Sequence, residues 1–198
     1  MLKCLNARML KCKGFTLVEL LVSIFIIILM SGIIFANYRV GGQQFALQRS
    51  ANKLAQDIRR AQQMAMGASE FCPTPPCPPN PTQTSPGYGI ILDKVWGIKK
   101  YRLYADTNGN NEFFNPNDPL VEDPIDLESG VIIKEISSPS TSYNSVSINF
   151  ASPDPTVNIK FDIDPGWQPK TIITLALATD PNKTKTVKVN QAGLIEVE

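Results

Sequence analysis

Glu19 is the one carboxylate in the run KCKGFTLVELLVSIFIIILMSGIIFA, Lys11 to Ala36. An ionised acid at membrane depth is costly without a partner, and acids so placed are functional by default. Glu19 therefore finds a counter-charge, snorkels to the interface or takes up a proton. A second set lies in ADTNGNNEFFNPNDPLVED, where Asp106, Asn108, Asn110 and Glu112 stand at alternate positions, with Asn117 and Asp118 beyond. Oxygen ligands at i, i+2 and i+4 are how a turn wraps a calcium ion. This loop departs from the EF-hand pattern, because Gly109 is fourth rather than sixth and no Glu stands at the twelfth position. Asn, Asp and Gly are also ordinary turn formers. The two readings are a weak calcium site and a plain turn without a cofactor.

Cys72 and Cys77 form a third set, four residues apart. In an exported domain a pair this close forms a local disulfide. The alternative, half of a metal site, has no Cys or His beyond the apolar run to complete it. The chain contains no histidine. That excludes Ser–His–Asp, Cys–His and His-ligated zinc chemistry. Carboxylate catalysis through Asp93, Asp106 or Glu112 survives on composition, but nothing in the sequence positions two of them together. No catalytic set is assigned.

The elements that must hold these residues follow from periodicity. Leu20 to Ala36 carries no charge and is interrupted only by Ser23, Ser31 and Gly32. As a helix, Phe15 to Ala36 spans roughly 33 Å, enough for a bilayer core. Beyond it, Leu47, Ala51, Leu54, Ile58, Ala61 and Ala65 follow a 4-3-4-3-4 spacing, one stripe of an amphipathic helix. Gly41 and Gly42 are a weak point between the two stretches. FCPTPPCPPNPTQTSPG (Phe71–Gly87) holds seven prolines and reads as a boundary loop.

From Tyr88 the period changes to two. YGIILD, KKYRLYAD, GVIIKEI, SVSINF, TVNIKFDI, TIITLALAT and KTVKVN…LIEVE read as strands of one antiparallel core. NQAG (Asn190–Gly193) suits the last hairpin turn. The predicted fold is α+β, a long helix packed on an antiparallel β-sheet domain. Its parts are 1–14 as a leader, 15–66 as helix (15–36 transmembrane, 37–66 amphipathic), 67–87 as loop and 88–198 as β domain.

Charge placement gives the orientation. Residues 1–14 hold Lys3, Arg8, Lys11 and Lys13 and no acid, whereas the rest holds 15 Lys and Arg against 18 Asp and Glu. A short basic stretch before an apolar run stays cytoplasmic. The β domain is then extracytoplasmic, on a single-pass anchor in the cytoplasmic membrane. A net charge of +1 gives no support to nucleic-acid binding.

The string KGFTLVELLVSIFIIILMSGI resembles the class III signal of type IV prepilins and pseudopilins, with Gly14, Phe15, Thr16, Glu19 and the apolar run in register. The resemblance implies cleavage between Gly14 and Phe15 by a prepilin peptidase and N-methylation of Phe15. It gives Glu19 an assembly role, paired with the amine of a neighbouring subunit. YRLYADTNGNNEFFNPNDPLVE and the closing KTVKVNQAGLIEVE are similar to the globular domain of H-type minor pseudopilins and related minor pilins. The implied function is a structural subunit of a type II secretion pseudopilus or a type IV pilus-like filament. The implied partners are other pilin subunits, a platform protein, an assembly ATPase and membrane lipid. A membrane-anchored enzyme and a tip module for adhesion or DNA uptake are the competing classes.

Overall fold

The computed structural model describes residues 15–71, 87–113, 118–139, 141–153, 156–162 and 166–198, with backbone alone for 33–40. The chain divides into two compact units, Met1–Gly41 and Gly42–Glu198. Helix α1 (Leu17–Met66) contributes residues to both and is continuous through Gly41 and Gly42.

In the first unit the described part of α1 is apolar on every side. Leu17, Leu20, Leu21, Ile24, Phe25 and Ile28 are all exposed, and so are the residues between them. A helix apolar all round cannot be stabilised by one packed face; its surface needs an apolar surrounding. No helix among the described residues is long and apolar enough to cross a membrane. The expected span over 15–36 reaches four residues past Gly32, and the side chains of 33–36 lie outside the described ones, although α1 itself runs on without a break.

The second unit buries what its part of α1 offers. Ala51, Leu54, Ile58, Ala61 and Ala65 are fully buried and Leu47 nearly so, all on the predicted stripe. The helix ends where Ala68 takes φ 44° and the Ser69 N–H returns to the Met64 carbonyl at 3.0 Å.

The β region forms two five-stranded antiparallel sheets, where the sequence suggested seven strands of one antiparallel core. The first contains β1 (Gly87–Asp93), β2 (Lys100–Asp106), β3 (Ile125–Asp126), β6 (Ser145–Ala151) and β7 (Val157–Phe161), in the order β3-β2-β1-β6-β7. The second contains β4 (Val131–Ser138), β5 (Thr141–Tyr143), β8 (Lys170–Leu177), β9 (Thr184–Asn190) and β10 (Ile195–Val197), in the order β10-β9-β8-β4-β5. β3 and β5 are two and three residues long, too short to show a period, and the final stretch folds back as two strands.

One core joins the helix stripe to alternating residues of both sheets. Val146, Ile148 and Phe150 from β6 and Ile173 and Leu175 from β8 share it with Leu54 and Ile58. A polar link crosses it where the Tyr101 hydroxyl donates to Asp57 Oδ2 on the helix at 2.5 Å. The last hairpin turns at Gly193 (φ 78°), and the Asn190 side chain accepts the Leu194 N–H at 3.0 Å.

Candidate functional site

Two groups of expected site residues lie within the described part. The first is the start of α1. Thr16 precedes the first helical residue, and its hydroxyl accepts the Glu19 N–H at 3.2 Å. Its carbonyl accepts the Leu20 N–H at 3.1 Å, the first helical bond. Thr-x-x-Glu is the spacing of a capping box, in which the hydroxyl satisfies one of the open N–H groups of the first turn. The acid is also favoured there by the positive end of the helix dipole. Ser23 Oγ then donates to the Glu19 carbonyl at 2.7 Å.

Glu19 itself is exposed, and no cation among the described residues pairs with its carboxylate. Phe15 beside it is 81% exposed. The local fold thus fixes the backbone of Glu19 and leaves its charge unmatched within the described chain. Gly14, Cys72 and Cys77 lie outside the described residues, so the cleavage and disulfide expectations gain no geometry.

The second group is the loop after β2. Asp106 is fully buried; its Oδ1 accepts the Gly109 N–H at 2.8 Å and its Oδ2 accepts the Asn111 N–H at 2.9 Å. The same Oδ2 accepts Nδ2 of Asn149 at 3.2 Å. Asn108 and Asn110 each accept, through Oδ1, the N–H two residues on, at 2.9 and 3.0 Å. Asp118 accepts the Thr107 N–H and Asn108 Nδ2. Glu112 forms an ion pair with Lys160 of β7.

The alternate oxygens that suggested calcium are therefore each engaged with the loop's own N–H groups or with a lysine. Among the described residues no cluster of three or more His, Cys, Asp or Glu could hold a metal ion. The geometry is that of consecutive Asx turns. Asn117 is outside the described residues.

This loop covers the outer face of the first sheet and closes a polar network there that the sequence reading missed. Tyr104, Ser147 and Asn149 alternate with core residues along their strands, yet Tyr104 and Asn149 are fully buried on the other face. The hydroxyls of Tyr104 and Ser147 hydrogen-bond at 2.9 Å, and Asn149 Nδ2 donates to the Tyr104 oxygen at 3.2 Å. The Phe113 N–H donates to Ser147 Oγ at 3.2 Å, and its ring meets that of Tyr104 edge-on at 5.1 Å. Gly89 makes room for this, since a Cβ there would lie 2.4 Å from the Tyr104 hydroxyl oxygen. Glycine inside a strand is the signal that could have shown it, because it marks close approach.

Burial raises the pKa of the Tyr104 phenol, against the opposing effect of its bonds from Ser147 and Asn149. Burial, and then the bond to Asp57, does the same for Tyr101. Groups pushed toward their neutral form by burial serve a packed structure as readily as a reaction.

Of the three carboxylates considered for catalysis, Asp93 and Asp106 stand far apart. Asp93 holds the turn after β1, accepting the Val95 N–H at 2.7 Å. Asp106 pairs with Gly87 at the opposite end of that strand, about 20 Å away by strand rise.

No curated protein and no solved structure matches the chain. A family model does match, that of the prokaryotic N-terminal methylation motif, over residues 9–35. This stretch contains Gly14, Phe15, Thr16 and Glu19 together with most of the apolar run. A motif of this type implies processing by a prepilin peptidase, assembly with other pilin subunits and membrane anchoring through the N-terminal segment. The capped, apolar start of α1 is thus the class III signal of type IV pilins, and the chain is pilin-like at its N-terminus.

Proposed function

We propose that the protein is a minor pilin or pseudopilin, a structural subunit of a type II secretion pseudopilus or type IV pilus-like filament, and not an enzyme. The observation that carries this reading is the methylation motif at residues 9–35, on a helix start whose apolar side chains are exposed on all sides. Such a surface fits lipid before assembly and other subunits after it. The chain is held in the cytoplasmic membrane by one span, with Gly42–Glu198 extracytoplasmic. A prepilin peptidase cuts between Gly14 and Phe15, and Phe15 is N-methylated.

Glu19 supplies the charge that matches the new amine on a neighbouring subunit. In apolar surroundings such a pair is poorly screened, so it can set axial register between subunits. A platform protein and an assembly ATPase drive incorporation. Cys72 and Cys77 are joined by a disulfide in the exported part. The stretch Asp106–Phe113, together with Asp118, is a self-bonded turn that stiffens the outer face of the first sheet and takes no cofactor. Calorimetric titration with millimolar calcium gives no heat and no shift in melting temperature; a saturable heat returns calcium as its ligand.

Intact-mass measurement of membrane-extracted protein tests the reading directly. Loss of residues 1–14 with one added methyl group is expected. A chain still beginning at Met1, in cells with an active prepilin peptidase, overturns it.

A further inference from the structure

We infer that Asn182 is an attachment site for an N-linked saccharide. This rests on the proposal that Gly42–Glu198 is extracytoplasmic.

The sequence restricts the site first. A transferase for asparagine recognises the side-chain amide together with a hydroxyl two residues on, and a proline between them blocks it. Asn182-Lys183-Thr184 is the one place in the chain that meets this condition. Asn80 also has a hydroxyl at that distance, in Thr82, but Pro81 stands between.

The fold then leaves both groups free. Asn182 lies in the turn between β8 and β9, Thr184 opens β9, and both are exposed. Other residues hold the turn. Asp180 Oδ1 accepts the Asn182 N–H at 3.3 Å, and the Asp180 carbonyl accepts the Lys183 N–H at 3.0 Å. Lys183 pairs with the Asp180 carboxylate at 3.8 Å, and Lys134 Nζ donates to the Pro181 carbonyl at 2.9 Å. The side-chain acceptor that closes the turn is thus Asp180. Asn108, Asn110 and Asn190 do that work in their own turns and commit their side-chain oxygens to N–H groups. Among the described residues, the Asn182 amide and the Thr184 hydroxyl have no hydrogen-bond partner.

There is also room beside the amide. Asn182 and Thr184 line a groove of about 530 Å³ together with Gln44, Phe45 and Gln48 of α1. Phe45 is 71% exposed. The C–H face of a sugar packed on that ring takes apolar surface out of water.

Transfer forms the bond from the Asn182 amide nitrogen to the anomeric carbon of a saccharide carried on a lipid pyrophosphate. The anomeric C–O bond breaks, the lipid pyrophosphate leaves, and one amide proton passes to a base of the transferase. Nothing is oxidised or reduced. The product carries a bulky, solubilising group on its surface.

The test is the intact mass of the full chain purified from the membranes of the cells that make it, followed by fragmentation of the peptide that spans Asn182. The processed chain should be heavier by a saccharide, with the added mass on Asn182. Asn182→Gln and Thr184→Val should each lose that mass, and Thr184→Ser should keep it. A methylated Phe15 in each variant shows that it reached the membrane and was processed. A processed, methylated chain with Asn182 unmodified overturns the inference and leaves the pilin reading standing. Added mass that persists on Asn182 in Thr184→Val overturns it as well. A chain that still begins at Met1, with Asn182 unmodified, overturns the pilin reading and the inference with it.

Discussion

The two stretches of α1 face opposite problems with the same backbone. Between Leu17 and Met30 the apolar side chains are exposed on every side, Leu21 at 60% and Phe25 at 62%. Between Leu47 and Ala65 one stripe is buried under the sheets and the other faces carry Arg49, Lys53, Arg59 and Arg60. The second stretch satisfies its hydrophobic surface inside the chain. The first finds no such cover among the described residues. A single helix can thus be scaffold along one part and interface along another, and substitutions should separate the two roles.

The sharpest separation should come from Glu19. If its charge serves a neighbour's amine, Glu19→Ala leaves that ammonium buried without a partner, about 3–5 kcal/mol by the usual cost of breaking a buried pair. Filament incorporation, read by crosslinking to the major subunit, should be lost. Membrane insertion and cleavage should persist, because the segment becomes more apolar. Glu19→Gln keeps the shape without the charge and should behave like the alanine variant. Wild-type assembly by either variant would remove the acid from the assembly mechanism.

Leu54→Ala tests the other half. Leu54 is fully buried, so its truncation should cost about 2–5 kcal/mol of stability in denaturant unfolding of the second unit. Leu21→Ala, the same chemistry on the exposed stretch, should leave that unfolding curve in place and weaken filament contacts instead. Equal effects of the two on the curve would erase the distinction between the stretches.

The legible part of the fold was the part whose signal is local. The stripe from Leu47 to Ala65, the alternation at Val146, Ile148 and Phe150 and the Asn190–Gly193 turn each depend on neighbours in sequence. The division into two sheets depends on which distant strands pair, such as β1 with β6 and β4 with β8, and no local period encodes that. At the candidate site, the motif around Glu19 was readable because residue identity and spacing are the signal themselves. The acidic loop was read by the types of its side chains; that their oxygens accept the loop's own N–H groups depends on a backbone path that spacing does not encode. Tyr104 and Asn149 were missed because a polar residue on the alternate face of a strand looks solvated until something covers it.

Tyr101→Phe probes the link between helix and sheet. It removes a hydrogen bond to a carboxylate, worth about 1.5–3 kcal/mol. It should also change the alkaline limb of stability. Burial raises the phenol pKa of Tyr88, Tyr101 and Tyr104 above the ordinary 10.0. Below that value both states keep their protons and the full contribution is present. Above it the unfolded chain ionises while the folded one does not, so stability falls as pH rises. Melting temperatures of the full chain from pH 9 upward should drop less steeply in Tyr101→Phe. An unchanged slope would mean that the Tyr101 phenol does not stay protonated in the folded state.

The smallest expected effect is at Thr16, where the comparison returns to the exposed stretch. Its hydroxyl satisfies the Glu19 N–H, and loss of an N-cap costs about 1 kcal/mol. Thr16→Ala should therefore fray only the first turn, with no change in the melting of the second unit. Amide exchange at Glu19, measured on the full chain in micelles, should quicken about fivefold, the equivalent of that energy. Because the cap also fixes the Glu19 backbone from which the carboxylate projects, filament incorporation should fall partway, and Thr16→Ser, which keeps the hydroxyl, should restore both readings. Exchange at Glu19 that does not respond to Thr16→Ala would show that the hydroxyl bond carries no weight in the helix start. Glu19 would then be positioned by its neighbours in the filament rather than by its own chain.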